Sequence, residues 1–226
     1  MAKTIKLSKG LNIKIEGKAQ EKITKVKPSS VIEINPDFYH GIVPKMIVKG
    51  GETIMAGSPL FFNKNFEEMN FVSPVSGKVR EVVRGERRKV TSIIIDADAD
   101  TNYLKLEHKS LAQLTAEETK AALLKSGLWT LIKQRPYDVI ANPTHAPKAI
   151  FISTFDTAPL APDYEFVMKN RMNDFQTGID ALSKLTTGEI HLGLITEKSI
   201  FAAVKGVEST VFKGAHPAGN VGIHIN

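Results

Sequence analysis

Apolar positions between Met46 and Ile95 come in short runs: Met46-Ile-Val48, Leu60-Phe-Phe62, Phe71-Val72, Val82-Val83 and Ile93-Ile-Ile95. Gly50-Gly51, Gly57-Ser-Pro59, Ser73-Pro74 and Gly77 break them at close intervals. That pattern predicts a small all-β unit with tight turns, because glycine supplies positive φ and proline presets the turn. Upstream, Ile5-Lys-Leu7 and Leu11-Asn-Ile13-Lys-Ile15 alternate apolar with polar around Ser8-Lys-Gly10, which predicts half-buried strands, and Val31-Ile-Glu-Ile34 predicts another. The polar run from Asp96 to Asn102 ends the β unit and puts a domain boundary near residue 100. Its aspartates lack the glycine and closing glutamate of a calcium loop and read as a solvated turn.

The second half changes period. Thr115-Ala-Glu-Glu118 is a capping box that starts a helix through Leu124, with Gly127 as its stop. Ala149 to Ser153 reads as a buried strand, and Asp163 as the cap of one helix whose apolar stripe runs Met168, Met172, Phe175, Ile179, Leu182. Gly188 ends that helix, and His191 to Ile195 is the next strand. Strand, helix, strand implies a right-handed βαβ crossover. Ligands of such sheets bind beyond the carboxyl ends of the strands, which singles out Thr154, Asp156 and Thr157; for Asp156 a loop or cap role weighs equally. The stretch from Gly214 to Asn226 alternates without a stop signal, and few strands are evident. The expectation is the front part of a longer protein: a β domain over 1–100 and a C-terminally incomplete α/β domain over 101–226.

Composition narrows the chemistry. With no cysteine, disulfides, thiolate nucleophiles and cysteine-held iron–sulfur or zinc sites are excluded from this sequence. No apolar run approaches the ~20 residues of a membrane span, and the lysine-dotted N-terminus has no signal-peptide core, so a cytoplasmic location is expected. The net charge of +6 sits in residues 1–28, where eight lysines (Lys3, Lys6, Lys9, Lys14, Lys18, Lys22, Lys25, Lys27) face Glu16 and Glu21. Such an arm suits anionic headgroups or an acidic partner, or equally protects an edge strand. Without arginine or aromatic residues in it, nucleic acid is not expected as a partner.

Two stretches combine aromatics, proline and polar groups outside a clear core pattern. One is the loop Asn35 to Pro44 with Phe38, Tyr39, His40 and Gly41; the other runs from the single tryptophan, Trp129, through Arg135 and Pro136 to Tyr137. Both are candidates for contact with an apolar ligand, against the commoner fate of packing on the β unit.

The motifs Lys-Gly-Gly-Glu52, Ala-Gly-Ser-Pro-Leu60 and Ser-Pro-Val-Ser-Gly-Lys-Val79 resemble the barrel-sandwich hybrid of biotinyl and lipoyl carrier domains. The carrier's attachment lysine would fall near Phe66 and Glu68; Lys64 is close but displaced, so no covalent attachment is expected. Taken together, Lys9 to Gly17, Ser126-Gly-Leu-Trp-Thr130 with Arg135-Pro136, Phe155 to Ala161 and His216-Pro-Ala-Gly219 look like NqrA of the bacterial Na+-translocating NADH:quinone oxidoreductases. The resemblance implies a peripheral subunit on the cytoplasmic face of the inner membrane, docked on the membrane subunit NqrB beside the other subunits. It also implies no catalytic residue, metal or cofactor in this chain, with FAD, FMN, riboflavin and iron centres carried elsewhere. Ubiquinone is the substrate of the complex. On that reading, quinone contact would fall on Phe38 to Gly41 and on Trp129 to Tyr137, with Asp156, Thr157 and His216 as strand-end candidates. More distantly, Ser126 to Ile195 resembles RnfC and the NADH- and FMN-binding subunit of complex I, implying a Rossmann-like fold. Where those relatives have a glycine-rich phosphate loop, this chain has Trp129, Leu131, Lys133 and Gln134. Two alternatives stay open: a flavin- or NADH-binding oxidoreductase module, and a purely structural assembly protein.

Overall fold

In the computed structural model, which describes residues 3–17, 19–106 and 109–225, the chain forms two compact units. One comprises residues 25–145, the other residues 1–24 with 146–226. The chain opens with β1 (Lys3–Lys6), which belongs to the second of these.

The unit of residues 25–145 is antiparallel. It contains β2 (Val31–Ile34), β3 (Pro44–Met46), β4 (Thr53–Ile54), β5 (Pro59–Asn63), β6 (Phe66–Val72), β7 (Gly77–Arg84) and β8 (Val90–Ala97). They form two sheets, β2-β8-β7-β4 and β3-β5-β6. Leu60, Phe61, Met69, Phe71, Val79, Ile93 and Ile95 lie inside, each at most 3% exposed; period-two alternation pairs Met69 with Phe71 and Ile93 with Ile95, while the adjacent Leu60 and Phe61 are both buried where the β5–β6 register shifts. Each such side chain contributes about 1.5–3 kcal/mol on burial, which is why the short apolar runs specify the sandwich. Gly77 shows what its motif is for: a Cβ there would lie 2.0 Å from the Asp96 carbonyl, so β7 can approach β8 only with glycine at this point. The β5–β6 hairpin turns through Lys64-Asn65, and Phe66 is the half-buried first residue of β6.

Beyond the sandwich lie α1 (Ala116–Lys125) and the hairpin β9 (Lys133–Gln134) to β10 (Val139–Ile140). The Thr115 capping box is present: Thr115 Oγ1 accepts from Glu118 N, and Glu118 Oε2 accepts from Thr115 N. α1 is tied to β6 by Asn70 Nδ2 donating to Lys125 O at 3.3 Å. This packing gathers 101–145 with the sandwich in one compact unit.

The other unit continues with β11 (Ile150–Ser153), α2 (Tyr164–Met168), α3 (Met172–Ser183), β12 (Ile190–Leu194), β13 (Glu208–Lys213) and α4 (Val221–Ile225). Its sheet, ordered β1-β13-β12-β11, is parallel throughout. The core is Leu192, Leu194, Phe201 and Val211, with Ile152, Tyr164, Met168, Met172 and Phe175 packed against it.

Three local expectations give way to tertiary structure. Residues 11–15 form no strand, and Leu11 and Ile13 stand 74% and 66% exposed; β1 pairs instead with β13, far along the chain. The stripe from Met168 to Leu182 runs across two helices, because Lys169 caps α2 and Arg171, at φ −129°, stands outside the helix before α3. Residues 221–225 are helical, started by Asn220 Oδ1 accepting from Gly222 N. Lys18 of the lysine arm and the terminal Asn226 lie outside the described residues.

Candidate functional site

The carboxyl ends of the parallel strands carry a site built from distant pieces of sequence. After β11 the chain passes through Thr154, Asp156 and Thr157; after β13 it turns through His216-Pro217-Ala218-Gly219. Thr157 Oγ1 joins the two: it accepts from Gly219 N at 3.0 Å and lies 3.1 Å from His216 Nδ1. A hydroxyl has one proton and two lone pairs, so Thr157 can hold the amide and the His216 ring nitrogen at once. Ser153 Oγ lies 2.9 Å from Gly219 O, and Thr154 Oγ1 donates to Gly193 O at 2.8 Å. A Cβ at Gly219 would sit 2.7 Å from both Asp156 Cα and Thr157 N, so the two turns touch backbone to backbone. Asp156 is exposed, and its Oδ1 accepts from Ala158 N at 2.8 Å, forming a turn of its own loop. The structure thus brings Thr157 and His216 into direct contact and sets Asp156 beside them as a turn former.

Sequence reasoning missed Asn12 and His224. Asn12 Oδ1 accepts from His216 N at 2.9 Å, and Leu11 N donates to His216 O at 2.9 Å, so the N-terminal arm clamps the turn after β13. The arm's Lys9 to Gly17 motif was visible, but pairing across 204 positions has no local signature. His224 on α4 stacks on Phe212, with ring centroids 3.9 Å apart, and its Nε2 donates to Ala218 O at 2.8 Å. Its Nδ1 is buried against Gly193 without a hydrogen-bond partner among the described residues. Burial holds the imidazole below the usual histidine range, against the partly offsetting bond to Ala218.

A pH dependence follows. The unfolded chain protonates His224 near the ordinary value of about 6.5, while the folded ring, whose Nδ1 has no hydrogen-bond partner among the described residues, protonates at lower pH. The contribution of neutral His224 is therefore complete above about pH 6.5 and lost as pH falls through the folded value. The melting temperature of the wild-type chain, relative to His224→Phe, is expected to fall between pH 7.5 and 5; an unchanged difference would contradict the assignment.

The other candidates lie in the 25–145 unit and divide between core and surface. Tyr39 packs edge-on against Phe71 at 4.7 Å and Phe61 at 6.3 Å, closing the sandwich. Phe38, in the short turn Pro36–Phe38, is 80% exposed; His40 and Gly41 are exposed too, and Gly41 takes φ 78°. Trp129 is only 4% exposed and donates from Nε1 to Ala141 O at 2.7 Å, a core residue contrary to its sequence setting. Arg135 to Asp138 form the turn between β9 and β10: Arg135 pairs with Asp138 at 3.6 Å, the Arg135-Pro136 bond is cis, and Tyr137 is 80% exposed. Among the described residues, no hydrogen bond, ion pair or ring contact joins the Phe38 loop to the Trp129–Tyr137 stretch.

Around Gly127, four backbone amides are already committed. Ser126 N donates to Ala122 O, Gly127 N to Leu124 O, Thr130 N to Gly127 O and Ile132 N to Trp129 O. The segment also follows the C-terminal end of α1, where the helix dipole is negative. Phosphate binding calls for the opposite: free, converging amides at a helix N-terminus.

Comparison with known proteins agrees with this architecture. The family model described as the NqrA N-terminal barrel-sandwich hybrid domain matches residues 5–98, and that for the NqrA second alpha/beta domain matches residues 114–226. The A-subunit of the Na(+)-translocating NADH-quinone reductase of Pseudomonas aeruginosa is 33% identical over 225 residues, covering 98% of this chain and 50% of that relative. Proteins of the same description from Tolumonas auensis and Neisseria meningitidis are each 34% identical, with the same coverage. The chain spans about half the length of the curated relatives it matches. With both of its halves matched by the family's own domains in order, the chain belongs to the NqrA family.

Proposed function

We propose that this chain serves in a Na+-translocating NADH:ubiquinone reductase as a cofactor-free part on the quinone side, and as a docking element for the membrane subunit NqrB and the other subunits. It works peripherally, at the cytoplasmic face of the bacterial inner membrane. The family and the names of its relatives support the complex. Among the described residues, no helix is long and apolar enough to cross a membrane. The quinone reading rests on one observation, the exposure of Phe38 and Tyr137 at 80% each on turns of the same unit. A quinone ring needs flat apolar contacts with a few polar donors, and His40 and Arg135 stand within two residues of these aromatics. The assembly role is supported by the arm, where Leu11, Ile13, Ile23 and Val26 are each at least 66% exposed among lysines, surface that a partner would cover.

Photo-crosslinking of a quinone analogue to the intact complex, followed by peptide mapping, tests the reading. Label is expected on peptides containing Phe38 or Tyr137. In that complex, Phe38→Ala with Tyr137→Ala is expected to raise the quinone KM roughly tenfold, the ~1.4 kcal/mol of one lost aromatic contact. An unchanged KM and inhibitor sensitivity, with label elsewhere, would leave the chain a role in assembly only.

A further inference from the structure

At the opposite end of the parallel sheet from Thr157 and His216, three potential metal ligands face one another. Glu189 immediately precedes β12, and His191 is two residues on, so strand alternation puts both side chains on one face. Glu208, the first residue of β13, lies directly opposite His191 in register. His191 Nδ1 is 3.4 Å from Glu208 Oε2, and His191 Nε2 is 3.8 Å from Glu189 Oε2. One donor atom from each of the three lies within 4.8 Å of the others. The imidazole is held in place, since it stacks on Phe151, its register neighbour on β11, with centroids 4.5 Å apart and planes 19° from parallel. It is also reachable, its side chain being 29% exposed.

We propose that Glu189, His191 and Glu208 form a binding site for one divalent transition-metal ion of the Zn2+ class, which ties β12 to β13. Ligands at about 2.0–2.1 Å around a tetrahedral ion stand roughly 3.3 Å apart, so donor atoms now up to 4.8 Å from one another need movements of up to about 1.5 Å, both carboxylates turning to one ring nitrogen of His191. The two glutamates are exposed and can make them by rotamer change. The donor set chooses the metal: an imidazole nitrogen with two carboxylates suits Zn2+, whereas Mg2+ and Ca2+ prefer all-oxygen shells. Three protein ligands leave room for water at the ion. Without an ion, the site holds two carboxylates around one imidazole, an arrangement that an ion pair with protonated His191 would also produce, and the test separates the two.

Zn2+ is titrated into the 226-residue chain by calorimetry at pH 7.5, with Mg2+ in parallel. One equivalent is expected to bind with a dissociation constant on the order of 10 μM or below, Mg2+ failing to compete, and the melting temperature is expected to rise with Zn2+ concentration. Glu208→Gln and the fully surface-placed Glu189→Gln are each expected to weaken Zn2+ at least tenfold; the second keeps the test valid should the first, or His191→Gln, disturb the sheet. Unchanged affinity in both glutamate variants would move the ion to other histidines and overturn the proposal. So would the absence of saturable binding, which would leave a His–Glu ion pair only.

Discussion

Titration of FMN or NADH into the 226-residue chain is expected to give no saturable binding up to about 1 mM. A flavin or dinucleotide phosphate is held by converging backbone amides, approached closely through small residues at a helix N-terminus. In the segment where such a loop would be needed, this chain has Trp129 buried in the core, and the amides of Ser126, Gly127, Thr130 and Ile132 already bonded to carbonyls of their own segment. The segment lies at the negative end of α1, so its dipole adds repulsion. Lys133 and Arg135 offer charge, and Arg135 is paired with Asp138; a point charge does not restore the geometry. Each charge-assisted hydrogen bond forgone costs ~1.5–3 kcal/mol, so several together weaken binding by orders of magnitude. Calorimetry and Trp129 fluorescence read the result, and a dissociation constant on the order of 1 μM would instead favour a flavin- or NADH-binding module.

Trp129→Ala is expected to destabilise the 25–145 unit by about 3–5 kcal/mol, the usual cost of removing a large buried aromatic. Two losses combine: the cavity left by the indole, and the Ala141 carbonyl deprived of its Nε1 donor at 2.7 Å. Trp129→Phe keeps much of the volume and loses the bond, so about 1–2 kcal/mol is expected. Urea unfolding with a fitted slope measures both, since a lower midpoint at constant slope reports stability itself. Tyr137→Ala, on an 80% exposed side chain, is expected to leave stability within about 0.5 kcal/mol of wild type. If Trp129→Ala were stable yet altered quinone reduction, Trp129 would be a contact residue rather than a core one.

What the sequence determined by itself rests on neighbours a few residues apart. The Thr115–Glu118 capping box, the Asp163 cap, the turns of the β sandwich and the strands at Ile150 and Ile190 are set by side-chain period and by local hydrogen bonds, and all are present. That Thr157 follows a carboxyl strand end was legible for the same reason, since βαβ order says which strand ends are carboxyl ends; His216 came only with the family resemblance. Only the tertiary structure decided what depends on pairing across the chain. Alternation in Ile5 to Ile15 announces apolar faces without naming what covers them, and β13 took Lys3–Lys6 while Leu11 and Asn12 bonded the His216 turn instead of forming a strand. Trp129, in a stretch read as a loop, carries no sign of what buries it, because the surface that covers a side chain is assembled from residues distant in sequence. The apolar stripe of Met168 to Leu182 likewise records a buried face, which two helices broken at Lys169 to Arg171 satisfy as well as one. The Glu189, His191 and Glu208 cluster has the same origin: period two puts the first two on one face, but parallel register alone brings the third opposite.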